Sequence, residues 1–362
     1  MSMETVVELS AASDGASLII HFTGGIHAWK IGTNLWDIGP ISEGGVPVSK
    51  GSFSTEELQK FAGEKGLHAI AFEDCVMSSG VYYLVMREIT KKNENHLFAS
   101  ANEWRNIESN ITQARLDDYL TEHAKTGRDE LDQVLDAKTS IEAVTGYISD
   151  SLRSLDISVS AISDHYYEQL SLGIREGYDK DQRFETAGNI AMYAHVHAFF
   201  LQIGAARDYL AKLISIRTGF GESKDAINRL VDCLCVDRLP NDAILNYLVT
   251  NGNIVNKADT RRMIQAGWLE EVGEIRNQFV HKRPYGSLAC GKNGFIDSTD
   301  HTLGLHRYSR LASLPNGENR DILDVVAYHY EQCNQFFIDI AKLTNMRREI
   351  RTITDKGIIN IR

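Results

Sequence analysis

ETAGNIAMYAHVHAFFLQIGAARDYLAKLISIR, residues 185–217, is the stretch on which the fold turns. Ile190, Tyr193, His197, Leu201, Ala205, Tyr209, Leu210 and Leu213 recur at helical steps and form a broad apolar face. Thr218-Gly219 follows, with glycine as the C-terminal stop. The same period extends to both sides. Ile141, Val144, Ile148, Leu152, Leu155 and Ile162 mark a helix from Ser140 to about Ile174, broken by the charged segment Arg175–Arg183. Ile111–Val134 reads as another helix, and Lys224–Cys235 and Asp242–Val249 as short ones. Asp259 is placed to cap a helix running to about Lys282, which must stop before Pro284. A loop of roughly 35 residues, rich in Gly, Ser and Asn, comes next. Asp321–Met346 is the last long helix, with Val325, Val326, His329, Cys333, Phe337 and Ile340 facing inward. No proline falls between residues 48 and 239, which suits long helices.

The first hundred residues have a different texture. TVVELSA (5–11), SLIIHFTG (17–24), IHAWKIG (26–32), HAIAFED (68–74) and GVYYLVMREI (80–89) are short β-prone runs. Gly24-Gly25 and Gly44-Gly45 punctuate them as turns. Ser54 and Glu57 have capping-box spacing, so Ser54–Glu64 reads as a short helix. The period switches near residue 108. The expected fold is therefore α+β. A β-rich or α+β regulatory domain spans 1–100, a connecting helix 101–139 and an all-α bundle 140–347. A basic tail over 348–362 follows, continuing the arginines from Arg347 through Arg348 and Arg351.

The chain has 362 residues, 43% hydrophobic and 24% charged, an ordinary globular balance. Its net charge of −11 argues against non-specific coating of nucleic acid or binding to an anionic membrane. The five cysteines, Cys75, Cys233, Cys235, Cys290 and Cys333, contain no CxxC pair. Free thiols in a reducing cytoplasm are the expectation, and a zinc ribbon is not. No basic, apolar leader opens the sequence and no run of 18 apolar residues occurs, so a cytoplasmic protein that does not engage membranes is expected. No GxGxxG or GxxxxGK[ST] fingerprint is present, and no cofactor or metal is expected. His195 and His197, two apart in a helix, point to different faces and read as core or interface histidines. His301, His306, Arg307 and Arg310 fall in the long loop, where they could meet RNA, though a solvated loop is the plainer reading.

The chemistry concentrates in EIRNQFVHKRPYG, residues 274–286. Asn277 and His281 are four apart and stack on one helical face. Arg276 lies five residues before His281, about 7.5 Å along a helix axis. Lys282 and Arg283 follow at once. Imidazole moves protons near neutral pH, and guanidinium matches phosphate bidentately. Asparagine can orient the histidine or hydrogen-bond a phosphate oxygen. Where the substrate is RNA, the neighbouring 2′-hydroxyl supplies the nucleophile, so the reaction needs no metal in principle.

Arg276, Asn277 and His281 resemble the signature of the HEPN superfamily: Arg, a polar residue, then His after four to six positions. The preceding AFFLQIGAARDYLAKLI (198–214) is similar to that superfamily's second core helix, with Asp208 matching its supporting acid. The resemblance covers roughly residues 140–347. It implies a four- or five-helix bundle that dimerises and joins two Arg-His motifs into a metal-independent endoribonuclease site. Arg276, Asn277 and His281 would be catalytic, and Lys282 and Arg283 would hold RNA. Such proteins act as toxins or antiphage-defence effectors, often with an antitoxin or defence-system partner. The rival expectation is a non-catalytic, dimeric HEPN-like adaptor. One departure is plain: Arg283 stands two residues after His281, where nucleotidyltransferase-silenced toxins carry a tyrosine; the nearest tyrosine is Tyr285.

Overall fold

A computed structural model describes residues 17–78, 81–88, 100–123, 128–178, 180–300 and 302–349. The expected strand at 5–11, His301, Arg351 and most of the basic tail lie outside them. The chain begins with β1 (Ser17–Phe22), β2 (Ile26–Gly32), β3 (Leu35–Glu43) and β4 (Val46–Phe53), then α1 (Thr55–Glu64), β5 (Ala69–Ser78) and β6 (Val81–Glu88). Helices α2 (Ser100–Glu122), α3 (Arg128–Asp136) and α4 (Ser140–Glu176) follow. The short β7 (Arg183–Phe184) precedes α5 (Asn189–Thr218), α6 (Ile227–Val231) and α7 (Ala243–Thr250). Next come β8 (Ile254–Asn256), β9 (Met263–Gln265) and α8 (Gly267–Asn277), which passes into a π-helical turn at Gln278–Lys282. Last are α9 (Ala289–Lys292), β10 (Gly294–Asp300), β11 (Leu305–Ser309), β12 (Leu311–Ser313), β13 (Asn319–Asp321) and α10 (Ile322–Leu343).

Two compact units share this chain, and neither is a single segment. The first takes residues 1–99, 154–202 and 272–335; the second takes 100–153, 203–271 and 336–362. The mixed α+β class is as expected, but the region 140–347 is not all-helical. The expected 35-residue loop holds a β-hairpin, β10–β11, together with the paired strands β12 and β13. The expected helix from Asp259 begins only at Gly267, because residues 254–265 fold into the β8–β9 hairpin and Asp259 adopts φ 60°. The expected helix 111–134 divides into α2 and α3.

The first unit is built on a curled antiparallel sheet of nine strands in the order β6-β5-β1-β2-β3-β11-β10-β7, with β4 also on β3. β3 runs past the end of β2, and there β11 joins it, Leu305 opposite Ile41. Ser42 donates to the carbonyl of Gly304 at 2.8 Å, and Tyr308 donates to the carbonyl of Gly24 at 2.9 Å. Buried Leu18, Ile20 and Phe22 alternate with Ile19 and His21 along β1. α1, closed by the Ser54–Glu57 capping box, packs near β3 and β4, where the Trp36 indole donates to Thr55 at 3.0 Å. The β1–β2 turn lies against α4. A Cβ on Gly25, at φ +81°, would stand 2.6 Å from the Tyr166 carbonyl oxygen, so only glycine fits. Phe199, Phe200, Phe279, His329 and Tyr330 are buried where α5, the π turn and α10 meet. Tyr330 donates to Asp156 of α4 at 2.6 Å.

In the second unit Trp104 donates to the Phe337 carbonyl at 3.1 Å, and Arg115 grips the buried Glu142 at 2.8 and 3.1 Å. Asp242 caps α7 by accepting from Ile244 and Leu245 and takes an ion pair from Arg217 at 2.8 Å. Among the described residues no helix is long and apolar enough to cross a membrane.

Candidate active site

The end of α8 sorts its side chains by burial. Val272, Ile275 and Phe279 are buried at three- and four-residue steps, which leaves Asn277 and His281 exposed. The Phe279 ring anchors the turn, 5.3 Å from Phe200 and 5.8 Å from Tyr285 between centroids. The helix then widens: Arg283 donates its backbone N–H to the Gln278 carbonyl five residues back, at 2.7 Å. An α-turn brings residues four apart together, whereas i→i+5 bonding does so for residues five apart. The π turn thus shifts His281 toward the side of the helix from which Arg276 projects.

Among the described residues, the side chains of Arg276, Asn277, His281, Lys282 and Arg283 make no hydrogen bond and no ion pair. Asn277, His281, Lys282 and Arg283 are exposed. Arg276 is half-buried, and its Nε is shielded from solvent with no acceptor. Leaving such a group unpaired costs about 1–3 kcal/mol. Three cations without counter-ions in eight residues are notable in a chain of net charge −11. They leave guanidinium and ammonium donors free for an anion.

The segment after the motif is held in place from below. The Tyr285 N–H donates to His197 Nε2 at 2.9 Å, which puts the His197 proton on Nδ1. Burial lowers the His197 pKa and favours that neutral form. Arg310, fully buried, donates to the Gly291 carbonyl and the Tyr193 hydroxyl at 2.7 Å each, and to the Lys292 carbonyl. Its backbone N–H donates to Asp321, whose carboxylate also accepts from Tyr166 and from Leu323 and Asp324 at the start of α10. Gln278 donates to the Ser313 carbonyl. Between these supports lies a small recess of about 20 Å³, room for roughly one water, lined by Phe279, Arg283, Pro284, Tyr285, Leu311 and Ser313 among others. Arg283 stands at its rim.

The motif residues of the sequence reading thus occupy the end of α8 and the π turn that follows it. Asp208 lies in the second unit, where its carboxylate accepts the Ile227 N–H at 3.1 Å and steadies the start of α6. Arg310 is a correction: it is a buried brace of the polypeptide, not a loop cation open to RNA. Arg307 lies in β11 and faces Asp324 at 3.6 Å. His197, Gln278 and Arg310 were not read as parts of the site. Only His197 carried a signal, its place on the apolar face of the 185–217 helix.

Comparison with protein-family models, with curated proteins and with solved structures finds no match to this chain.

Proposed function

We propose that this chain is a metal-independent endoribonuclease of the HEPN type, acting as a toxin or antiphage-defence effector. The observation that carries the reading is the unneutralised stretch: among the described residues, the side chains of Arg276, Asn277, His281, Lys282 and Arg283 have no protein partner. Packing inside the first unit is in keeping with it. Parts of α4, α5, α8 and α10 surround a shared aromatic core, with the motif at the end of the third of these helices.

His281 takes the proton of an RNA 2′-hydroxyl. That oxygen attacks the adjacent phosphorus, and the bond to the 5′-oxygen breaks. Arg276 stabilises the charge that develops on the non-bridging oxygens. Lys282 and Arg283 hold flanking phosphates, and Asn277 orients the imidazole. The products are a 2′,3′-cyclic phosphate and a 5′-hydroxyl. One imidazole cannot at once accept the first proton and donate to the leaving oxygen, so a homodimer that juxtaposes two motifs supplies the second. An antitoxin or defence partner would restrain it in the cell.

The test uses purified chain, RNA and EDTA. Cleavage persists in EDTA, and His281→Ala slows it by roughly 10²-fold or more, the usual scale for an acid–base group. A 2′-deoxy substitution at the cleaved position blocks it. A variant at His281 with full activity, or a cut deoxy substrate, would overturn the mechanism, and a wild type that cleaves no RNA would favour a non-catalytic dimeric adaptor.

A further inference from the structure

A second polar cluster lies in the first unit. The β1–β2 register sets His21 directly opposite His27, and β5 sets Ala71 opposite His21, so Glu73 shares that face of the sheet. α4 brings Ser160, Ser163, Asp164 and Tyr167 to the same place at helical spacing. Ser163 Oγ lies 2.9 Å from His21 Nδ1 and 3.2 Å from His27 Nε2. The two imidazole centroids are 4.2 Å apart, and His27 stacks on Tyr167 at 4.8 Å. Glu73 accepts from Ser160 at 2.6 Å.

One buried atom of this cluster lacks a hydrogen bond. His21 is 1% exposed, and its Nε2 makes no hydrogen bond. It faces Glu73 Oε1 at 3.6 Å, an ion-pair distance beyond hydrogen-bond reach. One ligating atom each from His21, His27 and Asp164 lies within 4.8 Å of the other two. Burial holds His27 well below the usual imidazole range, so it presents a neutral ring, the form that ligates metal.

We propose that His21, His27 and Asp164 form a binding site for one divalent transition-metal ion of the zinc type, with Glu73 available beside His21. Two imidazoles with carboxylates are a borderline donor set suited to zinc. Nitrogen and oxygen ligands sit about 2.0–2.2 Å from zinc, so the donors must draw closer than they stand, and the exposed Asp164 can rotate to do so. Ser163 and the Tyr167 stack fix the imidazoles as an outer shell does in metalloproteins. The ion would tie the β1–β2 hairpin to α4 and take no part in RNA cleavage.

The test is zinc titration of the full chain after EDTA stripping and dialysis, followed by calorimetry and thermal melting. Wild type should bind one Zn²⁺ per chain and melt at higher temperature with it. Asp164→Asn, at an exposed position, should keep the metal-free melting temperature yet weaken binding about 10-fold or more, the scale reported even for outer-shell changes. His21→Gln should remove binding. Co²⁺ in the same protein should give the visible spectrum of a nitrogen/oxygen site, lost in Asp164→Asn. If wild type binds no zinc, or Asp164→Asn binds it unchanged, the site does not exist. RNA cleavage by the stripped protein is a separate readout, so failure here leaves the nuclease reading standing.

Discussion

The shielded Nε of Arg276 sets the terms at the residue scale. A guanidinium that spends about 1–3 kcal/mol on an unpaired N–H recovers it when a phosphate oxygen arrives. Arg276→Lys should therefore fail to cleave RNA, because an ammonium has neither the Nε donor nor the planar fork; kcat under saturating RNA is the measurement. Lys282→Ala and Arg283→Ala should leave kcat nearly intact and weaken binding. Each should reduce the slope of log affinity against log salt by about 0.7, the value for one phosphate of a single strand. The motif was legible in the sequence because its members are contiguous. Its supports were not. His197 meets Tyr285 across 88 residues and Arg310 meets Gly291 across 19, and only the folded chain brings these together.

Secondary-structure elements show the same division. β1, β2, β5, β6, α1, α4, α5 and α10 follow from period and capping, and each is close to its expected bounds. β3 and β4 escaped because Gly39-Pro40 and Pro47 interrupt them, and glycine and proline read as punctuation. The hairpin β10–β11 escaped because its residues, GFIDSTD and LHRYS, are mostly polar, and its pairing partner β3 is more than 250 positions away. The π turn has no sequence signature at all. The tight β1–β2 turn yields a prediction at this scale. Gly25→Ala forces a Cβ onto the Tyr166 carbonyl at a left-handed φ, and should destabilise the protein by more than about 1 kcal/mol. Urea unfolding measures it; an unchanged midpoint would refute the packing of that turn on α4.

Across the whole molecule, acid is the natural probe. Burial pushes His329 down to about 3 and His165 to about 4, and holds His27 well below its ordinary value. Unfolded, these rings take protons near pH 6.5; folded, they do not until much lower pH. The unfolded state then binds more protons, so stability falls as pH drops from about 6.5 toward 4, by up to about 1.4 kcal/mol per pH unit per ring. Asp321, pushed up to about 7 by burial, works with the opposite sign and offsets one ring. Net acid lability should therefore appear in urea unfolding followed from pH 7 to 4. His329→Leu should flatten that slope by about one proton. The proposed homodimer is checked by sedimentation at micromolar concentration, where a strict monomer that cleaves RNA would refute the two-motif mechanism.

The sheet also has a history in time. Strand β3 pairs with β2 and β4 almost as soon as it is made, but β11, which continues its free side, lies beyond residue 300. During synthesis the ribosome therefore carries a half-closed sheet with an open edge for most of the chain, an exposure that favours pairing with other chains. The segment bearing Arg276 and His281 emerges before that edge is sealed, and its braces from Arg310 and Asp321 arrive later still. Under the proposed nuclease reading, the order of its own strands would keep a nascent chain from premature cutting of the RNA around it. A fragment ending near residue 300 should accumulate as aggregates, and on that reading should cleave no RNA.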